Sequence, residues 1–309
     1  MDINGKYSLS YFFTVDNVEV YTEQTELDSL IYKLLENLAL NYGIGNIKNL
    51  FTQNYKASDR GNKCINLGNN CFLFHFRISS TDNPRIAIAI TQEGISASNT
   101  EFPESVRIIF VLTSPKEMPD IYLKIYKSLK DFLTNLNVNA IIAQKNPNEI
   151  WNFINQNATE LPDIIYANDI MDEVKVSLLE NNNLKDAIDL IVKTGYLNIP
   201  VVDLEGNLIG EVTSHELMEV CLPGYIIWMN DMTPIVNFEP FQNMIIHEDK
   251  TWLAEIMNYN CLTIQKYEPF IKAAIAMTKT SVSQVYVLDD KKLVGTISLR
   301  FFIDKIFRE

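Results

Sequence analysis

The stretch from Asn198 to Leu217 reads NIPVVDLEGNLIGEVTSHEL, and a looser copy, QVYVLDDKKLVGTISLRFF, runs from Gln284 to Phe302. The blocks around them repeat as well. Asp169-Ile-Met171 returns as Glu255-Ile-Met257, and Leu184 to Ile188 returns as Phe270 to Ala274. Val201-Val-Asp203 matches Val287-Leu-Asp289, and Gly210-Glu-Val-Thr213 matches Gly295-Thr-Ile-Ser298. The offset is 86 for the first three pairs and 85 for the last. Self-similarity held at one offset marks a duplicated supersecondary unit. Two copies at so long an offset predict a pseudo-two-fold pair rather than a solenoid. Such a pair encloses clefts between its halves, where small ligands bind.

Each copy reads as strand, helix, strand, turn, strand, helix. In the first, Val174 to Leu179 is the opening strand, and Asn183 caps a helix that stops at Gly195. Ile199 to Asp203 and Leu208 to Thr213 form a hairpin around Glu205-Gly206, and Ser214 opens the closing helix. The second copy runs through Cys261 to Gln265, Pro269 to Thr280, Gln284 to Asp289 and Leu293 to Ser298, with a helix to the C-terminus. The connection from Gly224 to Asp249 carries Tyr225, Ile226, Ile227, Trp228, Phe238 and Phe241, so it is expected to pack.

Upstream lies a second kind of pattern. Residues 24 to 42 are amphipathic, with Leu27, Leu30, Ile31, Leu34, Leu35 and Leu38 at helical spacing, Thr25 as cap and Gly43 as stop. Ser58 to Asn70 reads as a polar loop or ragged strand ends. RIAIAIT (residues 85 to 91) and VRIIFVLT (residues 106 to 113) are short, β-branched and bounded by turn residues, as buried strands are. Ile121 to Leu136 is helical again. A strand at Ala140 to Ala143 and a helix opened by Asn146-Pro147 close the unit near Gln156. The expected organisation is an α/β domain with a mixed sheet over 1–156, a linker at 157–168 and the repeat module at 169–309. Within the module the copies span 169–222 and 255–309, joined by 223–254.

Composition narrows the function. The 309 residues carry a formal charge of −13, which disfavours duplex nucleic acid and anionic membranes, because both select basic patches. The apolar fraction of 47% is enough to fill real cores. Cys64, Cys71, Cys221 and Cys261 show no CxxC and no zinc spacing, so they read as reduced core residues of a cytoplasmic protein. His215 and His247 have no metal-spaced partner and read as surface residues. No stretch reaches transmembrane length, and the N-terminus lacks a signal-peptide pattern.

The NIPVVDLEGNLIGEVTSHEL stretch and its partner resemble the signature of CBS domains. The resemblance implies a tandem (βαββα) pair that dimerises and whose clefts hold adenine nucleotides (AMP, ADP or ATP). In that family the Ser/Thr after the G-x-x turn caps the last helix and offers a hydroxyl to phosphate. The acid three positions later accepts hydrogen bonds from the ribose hydroxyls, and the helix N-terminus favours an anion. Carried over, the first copy supplies Thr213, Ser214 and Glu216, with Val176 and Tyr196, Leu197, Asn198 and Ile199 lining the base. The second supplies Ser298, but Phe301 stands where the acid belongs, so this site is expected to be lost or altered. Thr213 and Ser298 serve equally as plain helix caps, with Glu216 a solvated first-turn carboxylate.

GNNCFLFHFRI (residues 68 to 78), followed by RIAIAIT and VRIIFVLTSP, resembles the fructose/mannitol-type enzyme IIA domain of the bacterial sugar phosphotransferase system. The resemblance puts His75 on the phosphorylated histidine. A phosphohistidine needs one free ring nitrogen as nucleophile, a partner on the other, and donors or cations around the phosphoryl oxygens. Arg77 falls on the same strand face as His75. Arg60 lies near the family's Arg-Glu pair, and Tyr122 replaces its second histidine. His75 alone is as well read as a satisfied strand histidine.

Together these readings predict a dimeric regulator that senses an adenine nucleotide and relays it to an enzyme IIA-like domain contacting a transporter or transcriptional partner. The alternatives are an active phosphoryl carrier, charged at His75 by a phosphocarrier protein, and a ligand-free dimer scaffold.

Overall fold

The computed structural model describes residues 7–23, 26–52, 64–79, 83–95, 106–135, 138–221, 246–303 and 306. It divides into two compact units, residues 1–165 with 303–309, and residues 166–302.

The first unit is built on a five-stranded mixed sheet in the order β1-β4-β5-β3-β2. The strands are β1 (Val18–Tyr21), β2 (Cys64–Gly68), β3 (Cys71–Ile78), β4 (Arg85–Ile95) and β5 (Val106–Pro115). β1 runs parallel to β4 and β3 parallel to β5, while β4–β5 and β2–β3 are antiparallel. Helix α1 (Leu27–Tyr42) lays Leu30, Ile31, Leu34, Leu35 and Leu38 against Phe72, Phe74 and Phe76 of β3 and Val111 of β5. Burial of each such side chain is worth about 1.5–3 kcal/mol. Because strand side chains alternate, fixing the three phenylalanines on that face turns His75 and Arg77 to the other. Both are half-buried there, and helix α2 (Pro119–Asn135) brings Tyr122 to the same face.

One expectation gives way in this unit and two are refined. Val138–Ile142 forms a short helix, α3, where a strand was expected, and it is followed by α4 (Pro147–Asn157) with Asn146 as its side-chain cap. Its apolar pattern suits either period over so few residues, and Val138 and Ile141, three apart, are the buried positions. Of the loop or ragged strand ends expected over 58–70, the second alternative holds where it is described, as β2 paired to β3, and residues 58–63 lie outside the described residues. The expected linker, half of it exposed, is tied down at particular points. Leu161 and Ile165 are buried, Leu9 N–H donates to Thr159 O (3.0 Å) and Leu161 N–H to Tyr7 O (2.8 Å).

In the second unit the duplication becomes two three-stranded sheets, β6-β7-β8 and β9-β10-β11. The first repeat holds α5 (Ala167–Ile170), β6 (Leu178–Leu179), α6 (Leu184–Thr194), β7 (Asn198–Val202), β8 (Leu208–Thr213) and α7 (Ser214–Cys221). The second holds α8 (Leu253–Ile256), β9 (Thr263–Gln265), α9 (Ile271–Thr280), β10 (Gln284–Asp289), β11 (Lys292–Ser298) and α10 (Leu299–Phe302). Each repeat is a βαββα unit, with its first two strands parallel and its hairpin antiparallel. The apolar residues of the connection from 224 to 241 lie outside the described residues, as does Thr25.

The opening strand of the first repeat was expected from Val174, yet β6 has only two residues. Pro200, which has no N–H to donate, removes the pairing at Ser177, and residues 174–176 stay outside the strand just as their counterparts 260–262 do. At its counterpart, Tyr286, the N–H donates to Leu262 O (2.9 Å) and the ladder extends to Thr263. The repeats also interlock by exchange. Asp172 pairs with Thr296 of the other repeat through two backbone bonds of 2.9 and 3.0 Å, and Asn258 with Glu211 through bonds of 3.0 and 2.9 Å. This brings Met171 onto Gly295 and Met257 onto Gly210. A Cβ at Gly210 would stand 2.9 Å from the Met257 sulfur, and one at Gly295 2.7 Å from Met171 Cγ. The glycine of the G-x-x-Thr/Ser turn is thus a close-approach residue.

Candidate functional site

The exchange decides how the observed cleft is composed: both repeats contribute to its lining. A cleft of about 480 Å³ is lined by Val174, Lys175, Val176, Tyr196, Leu197, Asn198 and Pro200 of the first repeat, and by Gln284, Thr296, Ser298 and Arg300 of the second. Asp172 and Glu173 belong to the same lining.

Four residues expected to line the base, Val176, Tyr196, Leu197 and Asn198, are there, and they meet Ser298. Thr213, Ser214 and Glu216 do not line this cleft. Ile199 is fully buried in a core cluster with Val201 and Val212 of its own repeat and Leu253 and Met257 of the other. The grouping expected from sequence therefore mixed two places. Its error was to assume that residues of one repeat form one site, whereas the Asp172–Thr296 pairing sends the base-lining segment to the other repeat's helix cap.

Locally the caps behave as caps. Thr213 N–H donates to Glu216 Oε2 at 2.9 Å, the Thr213 hydroxyl donates to the same oxygen, and His215 N–H donates to Thr213 Oγ1 at 3.1 Å. Ser298 Oγ accepts from Phe301 N–H at 3.2 Å, and the Phe301 ring sits edge-on to Phe302.

On the far side of the exchange, Glu211 and Tyr286 meet. Tyr286 is fully buried, Glu211 is 4% exposed, and the Tyr286 hydroxyl donates to Glu211 Oε2 at 2.8 Å. Asn258 Nδ2 reaches the other carboxylate oxygen at 3.3 Å. Burial raises the Glu211 carboxyl pKa, the Tyr286 bond opposes this, and the charge of Glu216 raises it further. Burial, then the Glu211 charge, pushes the neighbouring Cys261 thiol up to about 12. Sequence reasoning missed this cluster, although an acid inside the alternating strand LIGEVT was a readable signal.

In the first unit, His75 Nε2 lies 2.7 Å from Ser114 Oγ and its ring stacks on Tyr122. Tyr122 is 2% exposed, and burial raises its hydroxyl pKa, so it stays a neutral donor at physiological pH. Arg77 donates to the carbonyl of Ile306. His75, Arg77 and Tyr122 are thus brought together, with Ser114 as an addition that the sequence reading did not name. Arg60 lies outside the described residues.

Residues 11–157 match the family model of the phosphoenolpyruvate-dependent sugar phosphotransferase system, EIIA 2, and residues 167–222 and 253–300 match the CBS domain model. The chain joins an EIIA 2 domain to a CBS pair. Over 136 residues it is 24% identical to the L-aspartate semialdehyde sulfurtransferase of Methanocaldococcus jannaschii, covering 44% of this chain and 22% of that protein. A CBS domain-containing protein of Dictyostelium discoideum is 28% identical over 131 residues, covering 41% of this chain and 83% of that one. A CBS domain pair solved in complex with 5′-methylthioadenosine and S-adenosyl-L-methionine is 25% identical, covering 45% of this chain and 93% of that one at a TM-score of 0.32. Among the described residues, no three His, Cys, Asp or Glu side chains converge to hold a metal ion, and no helix is long and apolar enough to cross a membrane.

Proposed function

We propose that the CBS pair binds an adenine nucleotide in the Ser298 cleft and that the protein is a regulator whose EIIA domain reports this occupancy to a partner. The observation that carries the reading is the composition of the cleft. Val174, Val176 and Pro200 supply apolar lining, while the Ser298 hydroxyl, Lys175 and Arg300 supply donors. A planar base suits the first, and a phosphate suits the second. Asp172 and Glu173 offer acceptors for ribose hydroxyls in place of the acid that Phe301 lacks.

The relay is proposed to follow the chain. Arg300 lines the cleft, and six residues later Ile306 holds Arg77 beside His75. Such coupling requires a ligand with different affinity for two arrangements. Exposed Ile271 and Ile275, one turn apart on α9, favour self-association into a homodimer, which light scattering after size exclusion would test.

Thermal shift with AMP, ADP, ATP and cyclic dinucleotides tests the nucleotide reading. A rise in Tm with one of the adenine mononucleotides, lost in Arg300→Ala, is expected. No shift with any of them overturns it and leaves the dimer scaffold.

The second reading is a phosphoryl carrier, favoured by Arg77 and the Ser114 hydroxyl on the His75 side of the sheet. Incubation with a phosphorylated general phosphocarrier protein decides it. An acid-labile label absent from His75→Ala establishes the carrier, and no label above that control removes it.

A further inference from the structure

We infer that only one of the two clefts of the CBS pair takes a ligand, because Tyr286 and Glu211 fill the other from within. The ligand named here rests on the nucleotide reading above; the geometry does not.

The hairpin registers make the comparison residue by residue. Asn198 pairs with Thr213 and Pro200 with Glu211 in one sheet; Gln284 pairs with Ser298 and Tyr286 with Thr296 in the other. Pro200 and Thr296 both line the open cleft. Their counterparts, Tyr286 and Glu211, are hydrogen-bonded to each other across the repeats and are 0% and 4% exposed. A proline and a threonine leave a gap where a phenol and a carboxylate close one. The phenol also satisfies the buried acid, which would otherwise be costly.

Charge acts in the same sense. The counterpart of Lys175 is Cys261, and that of Arg300 is His215. The closed side gains Glu211 and, near it, Glu216, whose charge Glu211 feels. The open cleft also holds Asp172 and Glu173, whose counterparts are Asn258 and Tyr259, so its two cations are formally balanced, while the closed side has acids and no counterpart Lys or Arg to offset them. The duplication has thus diverged into a ligand half and a half that carries its own internal filler.

Two measurements on the full chain test this. The first is ligand-free: Thr296→Cys and Glu211→Cys proteins are reacted with N-ethylmaleimide and the modified residues mapped by mass spectrometry. At least a ten-fold faster reaction at position 296 is expected, and equal rates overturn the inference. The second is calorimetric titration with AMP. Wild type is expected to take one AMP per chain, Pro200→Tyr none, and the double variant Tyr286→Pro/Glu211→Thr two. Two AMP per wild-type chain, or one retained in a folded Pro200→Tyr protein, overturns the inference. No AMP on the wild type, with unequal maleimide rates, removes the nucleotide reading and leaves the single open cleft standing. Should the double variant fail to fold, the maleimide rates and the wild-type stoichiometry still decide.

Discussion

The imidazole of His75 lies flat against the phenol of Tyr122, with ring centroids 4.1 Å apart and planes 8° from parallel. The stack holds His75 in one orientation, and the Ser114 hydroxyl at 2.7 Å engages Nε2. Truncation should separate packing from hydrogen bonding. Tyr122→Ala is expected to cost about 3 kcal/mol or more in urea unfolding, as for other buried aromatics. Ser114→Ala should cost about 1 kcal/mol. Equal losses for the two would contradict this division of labour.

Glu211 makes stability depend on pH in a stated direction. Its carboxyl pKa is raised, first by burial, so the folded chain keeps the proton at pH values where the unfolded chain has lost it. The corresponding stability is fully present below the ordinary value of 4.5 and is lost as pH rises through the folded pKa. Glu211→Gln removes that titration while keeping an acceptor for Tyr286. The variant's stability margin over wild type should grow as pH rises from 4.5 toward neutrality. A margin independent of pH would sink the idea.

The methionine–glycine contacts predict a rescue. Gly295→Ala drives a Cβ to within 2.7 Å of Met171 Cγ and 3.0 Å of the Asp172 carbonyl, so overpacking should cost about 1–3 kcal/mol. Met171→Ala in the same chain removes the side-chain clash but not the carbonyl contact. The double variant should therefore recover part of the loss, a non-additivity read from denaturation midpoints.

Helix α6 offers a cleaner local test. Asn183 Oδ1 accepts from Asp186 N–H at 3.0 Å, and Asp186 Oδ2 accepts from Asn183 N–H at 3.1 Å. Asn183→Ala should cost about 1 kcal/mol. An unchanged denaturation midpoint would mean that water replaces the cap at no cost.

If the Ser298 cleft holds a nucleotide phosphate, Arg300 makes a charge-assisted contact. Arg300→Ala is then expected to weaken AMP binding about 10- to 100-fold, the range for hydrogen bonds to charged groups. Glu216→Gln should leave AMP affinity unchanged, since Glu216 caps α7 away from the cleft.

Much of this was legible in the residues. The cap at Asn183 and the stop at Gly195 were read at their observed positions, and the duplicated hairpins to within one residue, because each depends on neighbours a few residues away. His75 and Arg77 were correctly set on one face by strand alternation. The extent of β6 was not legible: Pro200 removes one pairing, and the chain before it is committed at Asp172 to the other repeat. Residues 138–142 were ambiguous because five residues cannot separate a period of 2 from one of 3.6.

Repetition at a constant offset was sufficient to establish two equal frameworks, since backbone topology follows from local pattern. Which framework holds an open cleft was settled only in three dimensions. The pairing of Asp172 with Thr296, and of Asn258 with Glu211, exchanges walls between the repeats and brings residue 286 of one against residue 211 of the other. Those positions are 75 apart in the chain, and no periodicity couples them. Packing across the exchange makes a phenol and a carboxylate a plug, and a proline and a threonine a cleft.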